Sequence, residues 1–222
     1  MADSLDYPTQ RARMVERQLR RRGISDPRVL AAMGEVPREL FVPEPERERA
    51  YADGALAIGF EQTISQPWIV AAICQALELS GPERVLEIGT GSGYSACVLA
   101  RLASEVLTVE RIGELARAAE ALVSVHGAGK VEVIEGDGSA GVEGRGPFEA
   151  IAVHATAPAP PRSLLAQLAP GGRLVVPIAD ERADMLTAFL RPVSAEEGAE
   201  SFERRLIAPV RFVPLIGSEG FA

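Results

Sequence analysis

The chain has 222 residues, 47% of them hydrophobic, enough to bury a full core in one domain of ordinary size, which excludes a disordered chain. A formal net charge of -8 argues against a surface that coats nucleic acid, since that needs clustered Lys and Arg facing a phosphate backbone. The start lacks the apolar stretch of a secretory leader, no apolar run nears the roughly eighteen residues that cross a bilayer, and Cys74 and Cys97 fall in apolar helical patterns rather than a disulfide framework. A soluble cytoplasmic protein, with no membrane or nucleic-acid partner, is expected, and a monomer.

Residues 9–22 place Ala12, Val15 and Leu19 at helical spacing among charges, which predicts an amphipathic helix closed by Gly23. The basic run Arg20, Arg21, Arg22 suits the dipole at that helix end better than it suits a partner. Asp26-Pro27 is a natural start for a second helix, with Val29, Leu30 and Met33 on its apolar face. Pro37, Pro43 and Pro45 then break the chain, so residues 1–66 are expected as an N-terminal helical appendage that ends in a loop leading to Pro67. Beyond Pro67, the stripe Ile69, Val70, Ile73, Cys74 and Leu77 predicts a helix capped by Ser65 or Gln66. On position alone, Ser65 is as readily a cap as a functional group.

From residue 84 the pattern alternates. Apolar strands at 84–88, 105–109, 130–134, 148–153 and 173–178 are interleaved with helices at 93–103, 112–126 and 161–169. Such βα repeats predict an α/β fold, a doubly wound and mostly parallel sheet of Rossmann-like type over residues 67–222, with every functional loop on one sheet edge. Residues 185–190 and 202–213 look like strands with no helix between them, an antiparallel closing ribbon in which Pro209 implies an edge or a bulge. Residues 217–222 are expected to be a loose end.

The first of those strands runs Arg84-Val-Leu-Glu-Ile-Gly-Thr-Gly-Ser-Gly-Tyr94. Gly89, Gly91 and Gly93 permit a tight turn and a close ligand approach, and the following helix offers free N–H groups. Glu87 precedes the loop, Glu110 ends the second strand, and Asp137-Gly138 follows the third, so three acids converge on one crevice. Glu110 is placed to accept from a ribose diol, Asp137 to reach an adenine amine, and Glu87 to receive a cationic amine. Gly91-Ser-Gly93-Tyr-Ser-Ala96 also satisfies a loose dinucleotide fingerprint, which keeps an NAD(P)-dependent oxidoreductase as a rival, but a carboxylate at Glu87 would repel a pyrophosphate. His126 and His154 have no ligand partners at metal spacing and no nucleophile elbow is present, so no metal is expected. His154 opens on the functional edge.

In order and spacing, Val36-Pro-Arg-Glu-Leu-Phe-Val42, Gln62-Thr-Ile-Ser-Gln-Pro67, the glycine stretch, Gly136-Asp-Gly138, Ala169-Pro-Gly-Gly-Arg-Leu-Val-Val-Pro177 and Val210-Arg-Phe-Val-Pro-Leu215 resemble the protein-L-isoaspartate O-methyltransferase family. The resemblance implies methyl transfer from S-adenosyl-L-methionine, which becomes S-adenosyl-L-homocysteine, to the α-carboxylate of L-isoaspartyl residues in damaged proteins or peptides. It implies Ser65 as the active-site residue. Thr63, Gln66, Glu87, Gly89, Gly91, Gly93, Glu110, Asp137 and Gly138 are then expected at the cofactor, and Ser65, His154, Val210, Phe212, Val213 and Pro214 at the substrate. His154, Trp68 and Ile216 depart from the family pattern at positions expected to border the substrate edge. A related carboxyl methyltransferase dedicated to one peptide natural product would share nearly all of these motifs.

Overall fold

The computed structural model describes residues 6–193 and 202–222. The chain opens with α1 (Tyr7–Met14), where Asp6 accepts from Thr9 N at 3.1 Å. The helical path continues through a π turn and a 3-10 turn, and stops at Gly23 with φ +92°. In α2 (Pro27–Glu35), Asp26 caps the N–H groups of Arg28 and Val29 at 2.8 and 3.3 Å, as expected of an Asp-Pro start. The stretch expected as a lead-in loop contains a hairpin instead. Strands β1 (Leu56–Gly59) and β2 (Gln62–Ile64) pair antiparallel, turning at Phe60 and Glu61 with φ of 52° and 58°. That backbone normally carries Asn or Gly, so the turn leaves no compositional mark.

Next come α3 (Pro67–Leu77), β3 (Arg84–Ile88), α4 (Tyr94–Leu102), β4 (Glu105–Glu110), α5 (Gly113–His126), β5 (Val131–Glu135), β6 (Phe148–Val153), α6 (Arg162–Ala166), β7 (Leu168–Ile178), β8 (Asp184–Leu190) and β9 (Glu203–Val210). The sheet runs β5-β4-β3-β6-β7-β8-β9, parallel through β7 and antiparallel beyond it. Because the path turns back between β3 and β6, their C-terminal ends open a crevice at the switch point. Helix α6 is shorter than predicted, because pairing starts at Leu168 opposite Phe148 and resumes at Arg173 opposite Ala150. Gly172 allows this: a Cβ there would sit 3.0 Å from Glu149 O. Pro209 lies on the edge strand, where its missing N–H leaves no inner partner unmet. What joins β8 to β9 at 194–201 lies outside the described residues.

Two apolar clusters cover the sheet. One joins Val85, Tyr94 and Leu99 to Met14, Leu30, Met33 and Ile73 from the N-terminal segment and α3; the other joins Leu86, Ile88, Leu107 and Ile151 to Leu164 and Leu215. Successive residues of β3 thus face opposite layers, which is why every position of this strand except the first reads as buried. Cys74 and Cys97 are free and buried, and burial pushes the Cys97 thiol up to about 12. Among the described residues no helix is long and apolar enough to cross a membrane, and no cluster of metal-ligating side chains occurs. The expected loose end is not loose: Leu215 N donates to Thr156 O at 2.7 Å, and Ser218 N donates to Asp137 Oδ2 at 2.8 Å.

Candidate active site

The glycine loop closes over the ends of β3 and β4. Gly89, Gly91 and Gly93 all have positive φ, at 92°, 53° and 84°. Their tasks differ. Gly89 leaves room for His154, and Gly91 N donates to Glu110 Oε2 at 2.9 Å. Gly93 starts α4, and a Cβ on it would meet Val123 at 2.9 Å, so it serves the packing of α4 on α5. Glu110 accepts a second backbone hydrogen bond from Ile112 N at 3.0 Å, which fixes its carboxylate at the crevice mouth. Gly89, Glu110, Gly138, His154 and Ile216 line one narrow crevice of about 60 Å³. Gln62, which sequence reasoning passed over, lines it too.

Beneath the loop lies a buried polar chain. Thr108 stands opposite Glu87 in the β3–β4 register and donates to its Oε2 at 2.6 Å, while Thr90 and Thr108 hydroxyls lie 2.6 Å apart. His154 Nε2 is 3.2 Å from Glu87 Oε1 but is hydrogen-bonded to Ser95 Oγ at 2.9 Å. Glu87 Oε1 is fully buried and has no hydrogen-bond partner among the described residues. A carboxylate oxygen left so, beside a loop of glycines, fits a ligand with a cationic amine.

A second, larger cavity of about 640 Å³ is also lined by His154. Its lining includes Thr63, Ser65, Gln66, His154, Phe212 and Val213. Gln66 is the N-cap of α3, and among the described residues no side-chain cap hydrogen bond is made there, so Ser65 is not consumed at the helix start. The Gln66 amide donates instead to Asp53 Oδ1 at 2.6 Å, and Asp53 also pairs with Arg22 at 2.9 Å. This short relay pins the segment that carries Ser65. Arg211 lines the same cavity, a cation that sequence reasoning missed.

A family model for protein-L-isoaspartate(D-aspartate) O-methyltransferase matches residues 9–220. The chain belongs to this family. Protein-L-isoaspartate O-methyltransferase 1 of Rhodopseudomonas palustris is 52% identical over 221 residues, 99% of this chain and 88% of that one. A solved protein-L-isoaspartate O-methyltransferase superposes with a TM-score of 0.83 at 28% identity, over 95% of this chain and 67% of that one. A Plasmodium falciparum protein described by the same activity, solved with S-adenosyl-L-homocysteine, has a TM-score of 0.78 at 23% identity over 96% and 99% of the two chains, a likeness of fold.

Of the residues expected at the site in this isoaspartate methyltransferase family member, Glu87, Gly91, Gly93 and Asp137 line neither space, and Thr63 and Gln66, expected at the cofactor, line the larger cavity rather than the crevice. Gly89, Glu110, Gly138 and Pro214 line the crevice, together with Val213 and His154, while Thr63, Gln66, Ser65, Val210 and Phe212 line the larger cavity. His154 and Val213 belong to both. Glu87 lies under the loop. Asp137 spends both oxygens on backbone donors, Ser139 N and Ser218 N, each at 2.8 Å. Trp68 does not border the substrate cavity as expected: its indole donates to Arg22 O at 3.2 Å and it faces a separate groove beside Ile207.

Proposed function

We propose that the larger cavity binds the isoaspartyl carboxylate and the crevice binds the adenosyl cofactor, so that the chain transfers a methyl group from S-adenosyl-L-methionine to L-isoaspartyl residues of damaged polypeptides. The observation that carries this reading is shared lining: His154 and Val213 border both the cavity that holds Ser65 and the crevice that holds Glu110, so ligands in the two would meet there. S-Adenosyl-L-methionine, which Gly89, Gly91, Glu87, Glu110 and Gly138 would hold, supplies a methyl carbon activated by a sulfonium.

The chain's own residues then have modest tasks. A carboxylate of pKa about 4 is ionised at neutral pH, so no strong base is needed. What is needed is alignment and exclusion of water, which supplies on the order of 7 kcal/mol. Ser65, a neutral donor, orients the anionic oxygen without quenching it. Arg211 draws the anion to the cavity, and the backbone of 210–214 holds the peptide beside it. His154, fixed through Ser95, forms the partition. Cytoplasmic location and a monomeric state fit a catalyst that must reach many unrelated polypeptides.

The test is transfer of a labelled methyl from S-adenosylmethionine to an isoaspartyl peptide, counted as base-labile ester. Failure in a folded sample that still binds the cofactor would sink the assignment. A strong preference for one peptide sequence over generic isoaspartyl peptides would favour the dedicated enzyme instead. Binding of NAD or NADP in place of the adenosyl cofactor would revive the oxidoreductase.

A further inference from the structure

The last stretch of the chain joins the two halves of the site in a way that neither half's chemistry requires. After β9, Val213 and Leu215 exchange backbone hydrogen bonds with Thr156, at 2.8 and 2.7 Å, and so fasten the stretch to the segment that follows β6. The chain then folds back on itself. Phe221 N donates to Leu215 O at 2.7 Å and Gly217 N to Phe221 O at 3.3 Å.

Groups far away in sequence hold this small loop from outside. Ser218 N donates to Asp137 Oδ2 at 2.8 Å, and Glu219 N donates to Ser139 Oγ at 3.0 Å. The Glu219 carboxylate accepts from Ser163 N at 3.0 Å and also from the Ser163 hydroxyl. At Gly217 only a hydrogen fits, because a Cβ would fall on the Asp137 carboxylate and the Ser139 hydroxyl.

What such a loop does follows from its first residue. Ile216 lines the narrow crevice together with Glu110 and Gly138. That crevice, about 60 Å³, is well below the ~300–1,000 Å³ usual for a small-molecule site, so one wall must withdraw before an adenosyl group enters. Gly89 follows β3 and Glu110 ends β4, both inner strands of the sheet, so neither can withdraw without disturbing it. Of the lining outside that sheet, Gln62 belongs to the β1–β2 hairpin and Ile216 to the tail. Ile216 belongs to the fold-back, whose ties are the hydrogen bonds just described.

Resting on the assignment of the crevice to the cofactor, we propose that residues 216–221 are a latch: Ile216 is the wall that gives way, and Glu219 with Gly217 is the catch that returns it. Glu219 is thus a positioning residue that sets how long the adenosyl ligand stays. The latch also runs straight on from the strand expected to hold the peptide, so both ligands press on one continuous segment.

The full chain is loaded with labelled S-adenosyl-L-homocysteine and chased with excess unlabelled ligand. Glu219→Ala is expected to speed release about tenfold, or about 1.4 kcal/mol. Glu219→Gln, which keeps an acceptor oxygen for Ser163, should stay within about threefold of the parent. Should Glu219→Ala not fold, Ser163→Ala removes one donor from the far end and should speed release by a smaller factor. A purely structural role would lower the melting temperature and leave release unchanged. Equal release from the parent and the folded variants overturns the latch alone. A parent chain that retains no label overturns the crevice as the cofactor site, and the latch with it.

Discussion

A neutral hydroxyl suits a reaction whose nucleophile is already an anion, because it can direct the oxygen while leaving its lone pairs available. Ser65 is free to do this, since among the described residues no side-chain cap hydrogen bond is made at the start of α3. A hydrogen bond to a charged group contributes ~1.5–3 kcal/mol, so Ser65→Ala should lower kcat/KM for an isoaspartyl peptide roughly ten- to a hundredfold, with cofactor KM unchanged. Glu110→Ala should do the reverse, raising cofactor KM by a similar factor, because Glu110 also fixes the loop through Gly91 N and Ile112 N. Steady-state kinetics with each ligand varied in turn checks both, and exchanged effects would mean that the two roles are misassigned. Arg211 is exposed, so Arg211→Ala should raise peptide KM only a few-fold, and less at high salt where its field is screened. That Glu87 falls near the end of β3 and Glu110 at the end of β4 follows from the strand pattern alone, and a doubly wound sheet gathers ligand groups at such ends. Arg211 could not be read in this way, because a cation in an alternating strand usually marks only a solvated face.

At the scale of elements, contacts between distant segments are what the sequence hid. Asp137 and Ser218 are 81 residues apart, and nothing in Gly217–Ala222 signals that it docks. The β1–β2 turn was invisible because Phe60 and Glu61 occupy a backbone region that favours other residues. By contrast the α2 cap and the core strands follow from local chemistry alone. The docking of the tail has a pH signature. Burial alone would raise the Asp137 pKa, but hydrogen bonds from Ser218 and Ser139 together outweigh it and hold the carboxyl below its ordinary value. A carboxylate lowered on folding adds stability that is full above its unfolded pKa of about 3.9 and is lost as pH falls through the lower folded value. Hydrogen exchange at Ser218 N–H should therefore stay slow at pH 5 and quicken below about pH 4, after correction for the intrinsic rate. Unaltered protection down to pH 2.5 would show that Asp137 does not hold the tail.

For the molecule as a whole, the N-terminal segment and the sheet share one core, and Arg38 joins them. Its side chain is fully buried over the Tyr94 ring at 5.0 Å, with Nε donating to Ala50 O at 2.8 Å and both terminal nitrogens without a partner among the described residues. Burial pushes its pKa down to about 10, which leaves it charged at neutral pH. The stem fills space while the charge is poorly compensated. Arg38→Ala should therefore cost about 2–3 kcal/mol through the cavity it leaves, and Arg38→Met, of similar length without the charge, should lie within about 1 kcal/mol of the parent or above it. In a chain of this size that separates the two by several degrees of melting temperature. Matched peptides that differ only in isoaspartate against aspartate test the chemistry of the larger cavity most directly. With labelled S-adenosylmethionine, base-labile methyl ester should accumulate on the isoaspartyl peptide and stay at background on its aspartyl twin. Equal labelling of the two, or none on either from a cofactor-binding sample, would contradict the account.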